Sequence, residues 1–303
     1  MPLGWYLAQG LYPLGPSSSD DEEGPCELPD GRIVCGPHGL VTCGKCCTDY
    51  SFADLNSKEV DGFAKCDTDD ENPRINEQEL LRLRKKRGTG QVFPTQFTPP
   101  TGSSIMPTEL FPSKEISATV TRYIHRNDTG AVLVFTDGAC LNNGKPDPKA
   151  GWAFVQGPGR ADKPALISAR LEIKGPWGDE SIQSSNRAEL RAVIAALRYQ
   201  NWPGEGFRTI TIATDSEYVV EGSTKWAKTW VTNNWKTSVG ADVKNKDLWE
   251  MLMGEAEKWK DQGLSIQFWR IPREWNEVAD EAAKKAASEF EDIDGWTDYL
   301  ARR

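Results

Sequence analysis

With 303 residues the chain has room for two domains, or for one large core with appended segments, and no apolar run in it reaches the length that spans a bilayer. A formal net charge of -9 and a pI near 5.0 exclude nucleic-acid binding through overall positive charge, so any such contact must be local. The start, Met1-Pro2-Leu3-Gly4-Trp5-Tyr6, has neither the charged-then-apolar order of a secretion signal nor the arginines of a transit peptide, so an intracellular protein, nuclear and/or cytoplasmic, with no membrane partner is expected.

Residues 1–25 are punctuated by Gly, Pro and Ser and close on Asp20-Asp21-Glu22-Glu23, which reads as a disordered tail. Six of the seven cysteines follow before residue 67, so 26–66 read as a separate Cys/His-rich module. Its spacing, Cys26-x8-Cys35-x2-His38-x4-Cys43-x2-Cys46-Cys47, contains the C-x2-H and C-x2-C loops that tetrahedral zinc favours. One Zn²⁺ held within this set is the expectation, with free thiols in a disordered segment as the alternative, and the module is a candidate surface for a protein partner or for nucleic acid. Residues 67–128 read as linker, with an acidic patch, a basic run (Arg82, Arg84, Lys85, Lys86, Arg87) and a Pro/Thr/Ser stretch from Pro94 to Pro112. The basic run is expected to be a solvated charged helix, with a nuclear signal or a phosphate contact as the other readings.

From 129 to 290 the pattern becomes that of a compact α/β domain. The β-branched run Ala131-Val132-Leu133-Val134-Phe135-Thr136 predicts a central strand ending at Asp137-Gly138. Strands are also predicted at Gly151–Val155 and around Ala165–Ile173, reached by turn-rich connections that suit antiparallel hairpins. Residues 186–200 place Leu190, Val193, Ile194 and Leu197 on one helical stripe, with Ser184 or Ser185 as N-cap. A fourth strand, Thr209–Thr214, ends at Asp215, and a fifth is predicted at Ser265–Arg270. Helical pattern covers 216–225, 247–260 and 276–290, and 291–303 are left as a C-terminal tail. This order predicts an α/β fold, a mixed five-stranded sheet flanked by helices.

Two predicted strands end in Asp137 and Asp215, which converge at one sheet edge if those strands are neighbours. Glu189 in the first turn of the helix and Asp280 in the last helix bring the count to four carboxylates. Such anions suit hard divalent cations, Mg²⁺ or Mn²⁺, and two of them account for the count: one to activate the attacking water, one to stabilise the leaving 3′-oxygen at phosphorus. Singly, each residue has an ordinary reading: a hairpin turn at Asp137-Gly138, a first-turn carboxylate at Glu189, a pair between Asp280 and Lys284. In a polar segment Lys225, Lys228, Lys236, Lys244 and Lys246 interleave with Trp226, Trp230 and Trp235, which suits phosphates and sugar or base faces, or else places three tryptophans in the core.

The flanking words F-T-D-G-A (135–139), N-R-A-E-L (186–190), A-T-D-S (213–216), N-E-V-A-D-E-A-A-K (276–284) and T-K-W-A-K-T-W-V-T-N-N-W-K-T-S (224–238) resemble ribonuclease H type 1 of the eukaryotic-like branch, over about 131–290. The resemblance implies the ribonuclease H fold, Asp137, Glu189, Asp215 and Asp280 as metal ligands, and an RNA/DNA hybrid as substrate. It further implies that Asn142, Asn143, Asn186 and Glu217 lie near the 2′-hydroxyls, and that Trp226, Trp230 and Lys236 belong to a basic protrusion on the DNA strand. Asn245, with Ser184 as its partner, matches a contact to a DNA phosphate. Two departures stand out. The short segment Arg270–Asn276 carries no histidine where many members have a mobile one, so turnover without a histidine is expected. Ile182 replaces a phosphate-pocket arginine, which implies modest hybrid affinity. Two other readings are a binding module for hybrid or double-stranded RNA that does not cut, and a retroelement-derived ribonuclease H; four anions beside phosphates speak against the former.

Overall fold

The computed structural model describes residues 84–100, 105–160 and 163–301, with short stretches at 12–13, 25–27, 33–35, 38, 42–43 and 48–49. The chain divides into two compact units, residues 1–73 and 74–303. In the first, β1 (Tyr12–Pro13), β2 (Pro25–Glu27) and β3 (Ile33–Cys35) pair antiparallel in that order, and β4 (Thr42–Cys43) pairs with β5 (Thr48–Asp49). Val34 is buried and His38 exposed. The side chains of Cys26, Cys35, Cys43, Cys46 and Cys47 lie outside the described residues, and so does the zinc reading built on them.

The second unit is built on one mixed sheet. Its strands are β6 (Thr95–Gln96), β7 (Ser113–Ser117), β8 (Val120–Ile124), β9 (Ala131–Leu141), β10 (Lys149–Arg160), β11 (Lys163–Arg170), β12 (Thr209–Thr214) and β13 (Ser265–Arg270). Across the sheet the order is β11-β10-β9-β12-β13-β6, antiparallel from β11 to β9 and parallel from β9 to β6. The β7–β8 hairpin joins beside the first half of β9. The helices are α1 (Pro107–Leu110), α2 (Ser185–Tyr199), α3 (Glu217–Glu221), α4 (Ala227–Thr232), α5 (Lys246–Asp261) and α6 (Glu277–Glu289). Among the described residues no helix is long and apolar enough to cross a membrane.

Alternation along β9 explains its unbroken apolar run. Val132 and Val134 enter the main core with α2 and α5, while Leu133 and Phe135 enter a smaller core with Trp269 and Ala279 on the opposite face. A strand covered on both faces has no polar side to show. The α2 stripe buries Leu190, Val193, Ile194 and Leu197, and Ser184 caps the helix by accepting from the Arg187 amide at 3.4 Å.

The linker reading fails over residues 84–124. β6, β7 and β8 extend the predicted five-stranded sheet, and the described part of the basic run is not helical and is tethered to the domain through Lys85, Lys86 and Arg87, which stay partly exposed. Lys86 pairs with Glu257 at 2.7 Å, Arg87 pairs with Glu250, and the Gly88 amide donates to the Glu250 carbonyl at 2.8 Å. One buried oxygen of Glu257 accepts from the Thr89 amide (2.7 Å), the Thr89 hydroxyl (2.8 Å) and the Gly90 amide (2.9 Å). Composition shows the charge of the run but not the acidic partners on α5, far along the chain. Glu257→Ala orphans these donors and is expected to cost about 2 kcal/mol of stability, read as a lower thermal midpoint and faster amide exchange at residues 88–91.

The C-terminal segment is likewise part of the unit. Ile173 and Lys174 amides donate to the Ile293 and Asp294 carbonyls, both at 2.8 Å, and Ile293, Trp296 and Tyr299 pack on the main core. Arg191 and Arg198, both buried on α2, reach Thr297 and Asp298.

Candidate active site

Parallel pairing of β9 with β12 puts Asp137 and Asp215 on the same side of the sheet, each near the point where those paired segments end. Glu189 reaches them because α2 lies very close to β9 at Gly138, where any Cβ would run into the backbone of Ala188 and Glu189. Carboxylate oxygens of Asp137, Glu189 and Asp215 lie within 4.8 Å of one another. They line a cleft of about 530 Å³ with Asn143, Ser185 and Arg273.

Asp280 does not join that group. Its carboxylate accepts from Arg273 Nη2 at 2.5 Å and from Lys284, so the ordinary pairing at i, i+4 is made as well. Burial pushes the Asp280 carboxyl up, but the hydrogen bonds from Lys284 and Arg273 outweigh it and hold it below the usual carboxylate range. Its charge still acts on the site: the Asp137 carboxyl, only 3% exposed, is pushed up to about 7 by burial, then by the charge of Asp215 and more weakly by that of Asp280. Burial and the charges of Asp137 and Asp215 raise Glu189 well above its ordinary value.

A cluster that resists ionisation this strongly is matched by an unmet acceptor. Glu189 Oε2 is buried with no nitrogen or hydroxyl donor beside it, and the Glu189 carboxyl faces that of Asp137, with which it can share only a proton. An oxygen-only donor set with an orphaned carboxylate oxygen fits a hard divalent cation, which replaces the missing donor and offsets the mutual repulsion.

Several supporting residues had no place in the sequence reading of the site. Asn276 donates to the Thr136 carbonyl (3.0 Å) and to Asp215 Oδ1 (3.1 Å), tying the middle of β9 and the residue after β12 to the start of α6. Arg273, two-thirds exposed, lies over the cleft with Nε 4.0 Å from Asp215 Oδ2. Both belong to the histidine-less Arg270–Asn276 segment. His125, the nearest upstream histidine, packs edge-on against Phe111 with ring centroids 5.0 Å apart.

Of the residues expected on the RNA side, Asn143 lines the cleft. Asn143 donates to the Ser185 hydroxyl at 3.2 Å, Asn142 sits in the left-handed region (φ 54°), Asn186 is exposed on the first turn of α2, and Glu217 pairs with Arg270 at 2.9 Å. Of those expected on the DNA side, Ser184 and Asn245 stand at the starts of α2 and α5. A bidentate pair from Arg187 to Asp247, at 2.8 and 2.5 Å, binds these two helix starts, which carry Ser184 and Asn245 as their caps. Asn245 donates to the Tyr218 hydroxyl at 3.3 Å, and Lys236 pairs with Asp242 at 2.6 Å. Trp230 and Trp235 pack on the main core, so the apolar reading holds for them, whereas Trp226 is 38% exposed. Ile182 is 67% exposed.

Residues 129–288 match the family model described as RNase H. A ribonuclease H of Treponema pallidum is 38% identical over 170 residues, covering 53% of this chain and 93% of that protein. One of Neorickettsia sennetsu is 36% identical over 158 residues, 52% of this chain and 93% of its own length. Human ribonuclease H1 is 31% identical over 185 residues, 60% of this chain and 58% of the human protein.

Proposed function

The chain belongs to the ribonuclease H family and is a ribonuclease H, and from that premise we propose a type 1 enzyme that cuts the RNA strand of RNA/DNA hybrids internally, with Asp137, Glu189 and Asp215 as residues that would hold two Mg²⁺ or Mn²⁺ ions and Asp280 as a fourth ligand that would first have to give up its pairs with Arg273 and Lys284. The observation that carries this reading is the 4.8 Å grouping of Asp137, Glu189 and Asp215 around a buried Glu189 oxygen with no nitrogen or hydroxyl donor. When bound, such ions supply activation of a water and neutralisation of the leaving 3′-oxygen in an in-line displacement. The protein's own part is orientation. Asn276 holds Asp215 by its Oδ1, Arg273 and Lys284 hold Asp280, and Asn142, Asn143, Asn186 and Glu217 are assigned to the 2′-hydroxyls of the RNA strand. Ser184, Asn245, Trp226, Trp230 and Lys236 are assigned to the DNA strand, Trp230 as support for Trp226, whose ring lies 5.9 Å away. For residues 26–66 the reading is one zinc ion, supported by ligand spacing, in a module for a protein partner or for nucleic acid.

The test is a gel assay on end-labelled hybrid with Mg²⁺. Wild type is expected to yield internal RNA fragments with 5′-phosphate and 3′-hydroxyl ends, to leave duplex DNA and duplex RNA intact, and to stop on chelation. Asp215→Asn excludes a contaminating nuclease: equal cutting by that variant sinks the assignment.

A further inference from the structure

A second groove, of about 650 Å³, opens beside the carboxylate cleft and shares Asp215 with it. One wall is the segment following β6, with Phe97; the other is the end of β13 and the turn after it, with Trp269, Arg270, Arg273 and Trp275. The Phe97 amide donates to the Phe268 carbonyl at 2.8 Å, and its ring lies 4.9 Å from that of Trp269 and 5.8 Å from that of Phe111. One wall of the groove is therefore supplied by the docked extension, outside residues 129–288 where the family model matches, and the other by residues inside that range.

Its chemistry is that of a nucleotide site. Phe97 and Trp275 are partly buried aromatics that pack on the smaller core and also line the groove, Arg270 and Arg273 are exposed cations paired with Glu217 and Asp280, and the volume falls within the usual range for small ligands. Arg270 pairs with Glu217, which links the groove to the RNA side of the cleft. The geometry points to an accessory subsite for an unpaired ribonucleotide of the RNA strand, flanking the scissile phosphate, so that the enzyme prefers hybrids whose RNA runs on as a single strand. This rests on the ribonuclease reading, which puts the RNA phosphate at Asp215. RNA is the strand assigned because the groove continues from that carboxylate. An unpaired nucleotide is assigned because a base inside a continuous duplex has both faces covered by its neighbours, whereas a single-stranded base offers a free face to an aromatic side chain.

The experiment measures binding of the full chain to fluorescent hybrids by anisotropy under chelation, where no cleavage occurs. The arms are a blunt hybrid, the same hybrid with an RNA overhang of about four nucleotides at either end, and one with a DNA overhang. An RNA overhang at one end is expected to tighten binding about five-fold, the effect of one stacked base. Phe97→Leu, which keeps the apolar packing on Trp269, is expected to abolish the gain; should that variant fail to fold, Arg270→Gln is read instead, with the gain reduced. Equal affinity for blunt and RNA-overhang hybrids overturns the proposal, and so does an equal gain from the DNA overhang. A chain that cuts blunt hybrid with Mg²⁺ but shows no overhang preference overturns the groove alone, whereas one that cuts no hybrid overturns both readings.

Discussion

Asp137→Asn is expected to lower kcat/KM on hybrid by at least about 10³-fold while making the metal-free protein more stable, by about 1–3 kcal/mol near pH 8. The two effects have one cause. Burial and the neighbouring Asp215 charge push the Asp137 carboxyl up to about 7, against about 3.9 in an unfolded chain. Between those values the folded state holds a proton that the unfolded state has released, so stability falls as pH rises across the window. Its contribution is fully present below about pH 4 and is lost above about pH 7. Glu189, raised in the same direction, adds to the slope. Asparagine has the same shape and no charge to desolvate, which relieves the cost in the metal-free state. With saturating Mg²⁺ the order reverses, because the cation binds only the folded wild type tightly and stabilises it by mass action. Thermal melts with chelator near pH 5 and pH 8, then with Mg²⁺, check this. A variant less stable than wild type under chelation near pH 8 would remove the electrostatic account of the cluster.

The central architecture was readable because each element carries its own periodicity. The β9 run, the α2 stripe with its Ser184 cap and the two strand-ending aspartates are local patterns, and Asp137, Glu189 and Asp215 converge as those patterns require. Asp280 shows the limit. Its position on α6 is local information, but the direction of its carboxylate is decided by Arg273 and Lys284 together, and the sequence reading weighed only the latter. The docked extension was missed for a different reason. Residues 84–91 look like a solvated basic run because their neutralising carboxylates, Glu250 and Glu257, lie on a helix whose contact with them only the tertiary fold creates. Likewise Trp230 and Trp235 read equally well as stacking platforms or as core, since a lysine-rich stretch does not reveal which helical face meets Trp249.

Ending the chain at Phe290 is expected to lower the thermal midpoint by more than about 10 °C, the result of losing several kcal/mol in a unit of this size. Arg198 is 2% exposed and its guanidinium is divided between Glu255, at 2.5 Å, and both oxygens of Asp298, at 2.7 Å each. Arg191, 1% exposed, pairs with Glu172, donates to the Thr297 carbonyl at 2.5 Å and lies 4.0 Å from the centroid of the Trp296 ring. Without residues 291–303 both cations lose partners, and the apolar seats of Ile293, Trp296 and Tyr299 open to water. Asp298→Asn separates the charge from the packing. It keeps the side-chain shape and one acceptor, so a midpoint between those of wild type and the truncated chain is expected. The Asp298 carboxyl is pushed up by burial but held below its ordinary value by Arg198, so its contribution is present above the unfolded pKa and disappears as pH falls through the folded one. The gap between wild type and Asp298→Asn should therefore shrink in acid, whereas the deficit of the truncated chain, largely apolar in origin, should persist. A truncated chain that melts within about 2 °C of wild type would show that the strap contributes nothing to holding α2 and, with it, Glu189 over the sheet.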